Sequence, residues 1–120
     1  MKIEKETKMM KYEVLQINLT REQSDLVNSS KDYPEFYTRY LNTTFRPTVE
    51  AIQAAKDMYK KVAVITANSF DGVFTASNVG YEDQIERFAP MHSVSVGDIL
   101  VREDGVSVYV DTMGFRPVTL

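Results

Sequence analysis

The sequence predicts an α+β fold: one small domain on a mainly antiparallel sheet, with a C-terminal three-stranded meander and two to three helices packed against it. Three observations lead there. Asp104-Gly105 separates two runs in which residue polarity alternates, the pattern of a β-hairpin. A helical apolar period over Thr48–Lys61 passes straight into the continuous apolar run Val62-Ala63-Val64-Ile65. Finally, 120 residues at 43% hydrophobic content suffice for a single core, and no repeat or linker divides the chain.

The first ten residues, M-K-I-E-K-E-T-K-M-M, are charged and lack the apolar stretch of a signal peptide. They read as a flexible extension to a domain spanning 11–120, with Met9 and Met10 as alternative starts to Met1. Lys11–Leu19 reads as a first strand, its alternation slipping between Tyr12, Val14, Ile17 and Leu19. Thr20-Arg21-Glu22-Gln23 fits a capping box, Thr20 bonding the Gln23 amide and Gln23 reaching back. The helix it starts should run to about Val27 and end at Asn28-Ser29-Ser30. Residues 29–47, with Tyr33, Phe36, Tyr37, Tyr40 and Phe45, read as a helical turn after Pro34 and a strand around Tyr40–Arg46.

From Thr48 to Lys61, Val49, Ile52, Ala55 and Met58 or Tyr59 recur at helical spacing. Thr48 suits the N-cap, Glu50 the positive end of the helix dipole, and Lys60-Lys61 the negative end. Val62–Ile65 then suits a strand covered on both faces. Ser69 can cap another helix through Asn78 that buries Phe70, Val73 and Phe74. In the meander, a two-residue type I′ turn at Asp104-Gly105 pairs Val101 with Val108 and Ile99 with Val110. Those four branched side chains then share the core face, with Arg102 and Tyr109 on the other. Met113-Gly114 supplies the second turn. Phe115–Val118 returns as a third strand, which Pro117 confines to a sheet edge.

The stretch Phe88–Phe115 holds the most distinctive string, P-M-H-S-V-S-V-G-D-I-L-V, followed by D-G, V-Y-V-D and G-F. It resembles the YodL-like domain family of phages and mobile elements, and small uncharacterised bacteriophage proteins with a P-M-H-S-V-S-V-G-D core. A weaker similarity covers Lys11–Leu19 and Tyr59–Ile65. Gly97 stands where the usual YodL-like motif has serine, which brings the chain nearer the phage proteins. The family has no agreed activity and no catalytic residues to carry over. The resemblance therefore implies a viral or mobile-element setting and the host cytoplasm, not a reaction.

Candidate chemistry is sparse. His92 is the single histidine, with Ser93 beside it and Asp98 six positions on. A catalytic triad needs such groups to converge in space, whereas adjacent His92 and Ser93 point apart. Turn chemistry accounts for the same residues: His92, Ser93, Ser95 and Asp98 bonding backbone, Gly97 in a conformation costly for other residues. Asp104, Gly105, Gly114 and Phe115 complete this structural motif. There is no cysteine, no glycine-rich phosphate loop, and the spacing of Glu82, Asp83 and Glu86 does not fit a calcium loop. The expectation is a non-enzyme without metal or cofactor.

Two surfaces suit partners. Residues 1–61 carry 11 Lys/Arg and 9 Asp/Glu, whereas residues 62–120 carry 3 and 8. The acidic half, with Asp71, Glu82, Asp83, Glu86, Glu103 and Asp104, suits a basic surface on a host or viral protein. The alternative is single-stranded nucleic acid bound by the aromatic and basic stretch 33–46, through Tyr37, Arg39, Tyr40 and Arg46. No apolar run reaches the length of a membrane span.

Overall fold

The computed structural model describes residues 8–29 and 34–120. The first seven residues of the expected N-terminal extension, together with Ser30 and Tyr33, lie outside the described residues. A six-stranded antiparallel sheet runs in the order β3-β2-β1-β4-β5-β6. Its strands are β1 (Met10–Gln16), β2 (Lys60–Ala67), β3 (Ile85–Arg87), β4 (Ile99–Arg102), β5 (Ser107–Asp111) and β6 (Gly114–Pro117). Among the described residues four α-helices accompany it: α1 (Arg21–Ser29), α2 (Glu35–Thr44), α3 (Val49–Ala54) and α4 (Phe70–Val79). The α+β reading and the C-terminal meander β4-β5-β6 both hold, and the strand bearing Pro117 forms one sheet edge.

Local signals set the helix starts. Thr20 and Gln23 close the expected capping box: the Gln23 amide donates to Thr20 Oγ1 at 3.0 Å and the Thr20 amide to Gln23 Oε1 at 2.9 Å. Thr48 accepts from the Ala51 amide at 3.0 Å, and Ser69 from the Gly72 amide at 2.9 Å. At its other end α4 stops in a Schellman arrangement, the Gly80 and Tyr81 amides both donating to Ala76 O, with Gly80 at φ 90°.

Three elements depart from the sequence reading. Residues 40–44 continue α2 instead of forming a strand; the run Phe36, Tyr37, Tyr40 has helical spacing, and Tyr37 and Tyr40 stack with centroids 5.9 Å apart. The helix from Thr48 ends at Ala54, gives one 3₁₀ turn over Lys56–Met58, and hands Lys60 and Lys61 to β2 instead of to a helix terminus. Within α4, Val73 and Ala76 are buried whereas Phe74 is 39% exposed.

The hairpin register also differs. Asp104-Gly105 belongs to a three-residue loop: Gly105 N donates to Arg102 O, Arg102 N donates to Val106 O, and Gly105 takes φ 97°. This is a tight turn followed by a left-handed glycine, which adds one residue to the two-residue turn expected. The extra residue changes the parity of the pairing. Leu100 now faces Val108, and Ile99 faces Tyr109. Leu100, Val108 and Val110 join Tyr12, Val14 and Ile65 on the face covered by α4, where Arg102 sits against Phe70 at 5.5 Å from its ring centre. Ile99 and Tyr109 lie on the opposite face with Ile52 of α3 and Val118, and Val101 packs against that cluster. Val62 is the extra residue in the pairing of β2 with β1, so the bulge belongs to β2. The alternation of β1 itself runs on unbroken through Tyr12, Val14 and a buried Gln16.

Gly97 has φ 96°, and a Cβ there would overlap the Thr43 carbonyl; Gly105 has a similar φ but open space around it. We therefore expect Gly97→Ala to cost more than about 2 kcal/mol in urea unfolding, and Gly105→Asn less than about 1 kcal/mol, because asparagine tolerates the left-handed region. Equal costs would contradict the close approach of α2 to this loop.

Candidate functional site at the Gln16–His92–Asp98 junction

Gln16 is the last residue of β1 and is fully buried. Its amide holds the loop 92–98 to the sheet. Nε2 donates to His92 O at 2.9 Å and to Asp98 Oδ2 at 3.0 Å, while Oε1 accepts from His92 N at 3.2 Å. Asp98 Oδ2 also accepts from the Ser95 amide at 2.9 Å, and the Asp98 amide donates to Ser95 O at 3.0 Å. Ser95–Asp98 is thus a turn with a positive-φ glycine at its third position. From there Gly97 N and Asp98 O pair with Val110, feeding the chain into β4.

Other elements clamp the same loop. Ser77 Oγ accepts from the Val94 amide at 2.9 Å, and Asn78 Nδ2 donates to Val94 O at 3.1 Å, so α4 holds its middle. The Tyr59 hydroxyl donates to Gly97 O. Burial raises the Tyr59 phenol well above its usual pKa, reinforced by the nearby Asp98 and opposed by a hydrogen bond with Thr43, so it stays a donor. Burial also raises Tyr40, with Tyr37 and Asp98 adding to the effect.

His92 Nδ1 lies between two polar groups, 2.9 Å from Ser93 O and 3.3 Å from Gln16 Nε2. The His92 ring is half-exposed. Asp98 Oδ2 lies 4.0 Å behind Nδ1. Desolvation raises the Asp98 pKa to about 6, against the opposing pull of the Ser95 amide, His92 and Gln16. Below this cluster is a cavity of about 40 Å³, bordered by Tyr40, Thr43, His92 and Asp98.

The expected motif residues thus converge in part. His92, Ser95, Gly97 and Asp98 meet at one junction, and Ser93 Oγ is only 3.5 Å from Ser77 O. Asp104 and Gly105 shape the distant β4–β5 tip, while Gly114 and Phe115 begin β6, with Phe115 against Phe70. Gln16 was the residue that polarity patterning missed. The signal for it was present: Gln16 continues the period-two series Tyr12, Val14 into a core position. No three His, Asp or Glu side chains group as metal ligands among the described residues.

The partner-facing candidates divide. In residues 62–120 each basic side chain takes one carboxylate: Arg87 takes Glu82, Arg102 takes Asp104, and Arg116 takes Asp111. The arginine hydrogen bonds hold the three carboxyls below their usual pKa. Glu103 Oε1 accepts from the Lys11 amide at 2.6 Å. Asp71, Asp83 and Glu86 make no ion pair among the described residues. Glu86 on β3 and the β4–β5 tip lie three strand spacings apart, about 14 Å, so the six acids form two groups. Of the nucleic-acid candidates, Arg39 pairs with Glu35 at 3.2 Å and Asp57 at 2.8 Å, and Tyr40 lines the cavity; Arg46 is exposed. No family model, curated protein or solved structure matches the chain.

Asp98 sets a pH dependence. Its folded pKa stands above the unfolded value of 3.8, so the native state holds the proton more tightly. Stability from this group is present below about pH 4 and lost as pH rises through about 6. The stability of wild type relative to Asp98→Asn should therefore fall by up to about 3 kcal/mol across that window. Urea unfolding at stepped pH measures it, and a flat or rising difference would overturn the assignment. Gln16→Leu strips partners from Asp98 and the His92 backbone, and should cost about 1–3 kcal/mol at neutral pH.

Proposed function

We propose that the chain is a non-enzymatic binding module of a phage or mobile element, which docks a basic, apolar-bearing surface of a host or viral protein in the host cytoplasm. The observation that carries this reading is the outer face of α4. Asp71, Phe74, Thr75, Asn78 and Val79 recur at helical spacing and are all exposed. Phe74 is 39% exposed, Val79 63% and Tyr81, just past the helix, 45%. Aromatic and branched side chains held in water cost free energy that a partner recovers by covering them.

Charge selects the partner. Asp71 lies on that helical face, and Asp83 follows in the 3₁₀ turn after α4. Carboxylates around an apolar centre favour a partner that presents Lys or Arg around its own apolar residues, and repel acidic surfaces and nucleic acid. The setting in a phage or mobile element rests on the resemblance of P-M-H-S-V-S-V-G-D. By contrast, the engagement of Arg39 by Glu35 and Asp57 weighs against the nucleic-acid alternative.

Pull-down from host lysate with wild type, Phe74→Asp and Val79→Lys tests the reading. We expect a stoichiometric partner with wild type, lost with both variants, and eluted as salt rises from roughly 50 to 500 mM. Both sites are exposed, so thermal melting should hardly move. Undiminished capture by the variants, or no capture at low salt, would refute it.

A further inference from the structure

Beside the Gln16 junction, between the end of β1, the start of α1, α2 and the loop after β3, lies a cleft of about 650 Å³. That volume falls within the range of small-ligand sites. Ile17, Leu19 and Pro90 give it apolar walls; Tyr40, Lys60 and His92 give it polar ones. No Asp or Glu lines it among the described residues. The cleft is thus a concave surface holding a cation without a matching carboxylate.

Lys60 has no ion-pair partner among the described residues. Its neighbour Lys61 faces Glu13 at 3.6 Å, and Asp57, the nearest acid in the chain, is held by Arg39. Lys60 is exposed and also borders the adjoining hollow of about 240 Å³, where Arg39 and Asp57 stand. Donors accompany it. Thr20 Oγ1 already accepts from the Gln23 amide, which leaves its proton to be given outward, and the Ser24 hydroxyl lines the same wall.

We propose that this cleft binds a small organic oxyanion, its carboxylate or phosphate group held by Lys60 and the hydroxyls and its apolar body lying against Ile17, Leu19 and Pro90. An ammonium in a concave site lined by donors lacks a counter-charge, and the ligand supplies one. The apolar walls gain by covering a carbon skeleton, which sets an organic anion above a bare inorganic one. The site is independent of the α4 face, so failure at either leaves the other standing.

Titration of the full ¹⁵N-labelled chain with benzoate, phenyl phosphate and the neutral analogue benzyl alcohol tests the assignment. At least one anion should shift the Leu19, Thr20, Ser24, Lys60 and His92 amides with a Kd on the order of millimolar, as befits so small a probe. The better anion identifies the oxyanion class, and benzyl alcohol should bind at least about tenfold more weakly. Lys60→Ala and Lys60→Gln should both weaken the anion by about tenfold or more, whereas Lys61→Ala leaves it unchanged. Equal binding of benzyl alcohol, unaltered binding by the Lys60 variants, or no shifts in the cleft with either anion would overturn the proposal.

Discussion

A buried glutamine amide must have all its hydrogen bonds made inside the protein, because water cannot make them. Gln16 meets that demand with the backbone of His92 and the carboxylate of Asp98, and the arrangement of the C-terminal half follows from it. The loop from His92 to Asp98 is drawn against the end of β1, which sets where β4 begins and so brings it alongside β1. Asp98 in turn orders its own turn through Ser95, and Gly97 lets the backbone pass under the Thr43 carbonyl of α2. One polar side chain thereby ties β1 to the meander and the meander to the helices.

What the sequence made legible was local. The capping residues Thr20, Thr48 and Ser69 announce helix starts because each bond spans only three residues. The turn chemistry of Ser95, Gly97 and Asp98 was legible for the same reason. For Gln16 the period-two pattern gives the core position but not the reason for its burial, since its partners lie 76 and 82 positions away. The register of the Asp104-Gly105 hairpin failed on a single loop residue, and period-two pattern amplifies that error by turning whole side-chain sets over. Among the aromatics of α2, Phe36, Tyr37 and Tyr40 keep helical spacing, and α2 packs against α3.

Charge showed a similar division. The composition of the acidic half is plain, but composition does not reveal that Arg87, Arg102 and Arg116 each occupy one carboxylate. Of the carboxylates left without an ion pair among the described residues, Asp71 stands on the outer face of α4, where Phe74 and Val79 are exposed, whereas Glu86 alternates to the opposite face of the sheet from Ile85. The oxyanion cleft lies elsewhere, beside the buried junction, and draws on residues of the more basic half. The partner face and the ligand cleft that we propose are thus separate surfaces of one small domain.

Amide hydrogen exchange of wild type and Gln16→Leu tests the central claim most directly, read at Ser95 and Gly97 against Val64 in β2. If the Gln16 amide holds the junction, the variant loses protection at Ser95 and Gly97 by far more than at Val64, as a local opening of the loop would give. Protection at Ser95 and Gly97 that stays at the wild-type level, or falls only in step with Val64, would contradict it.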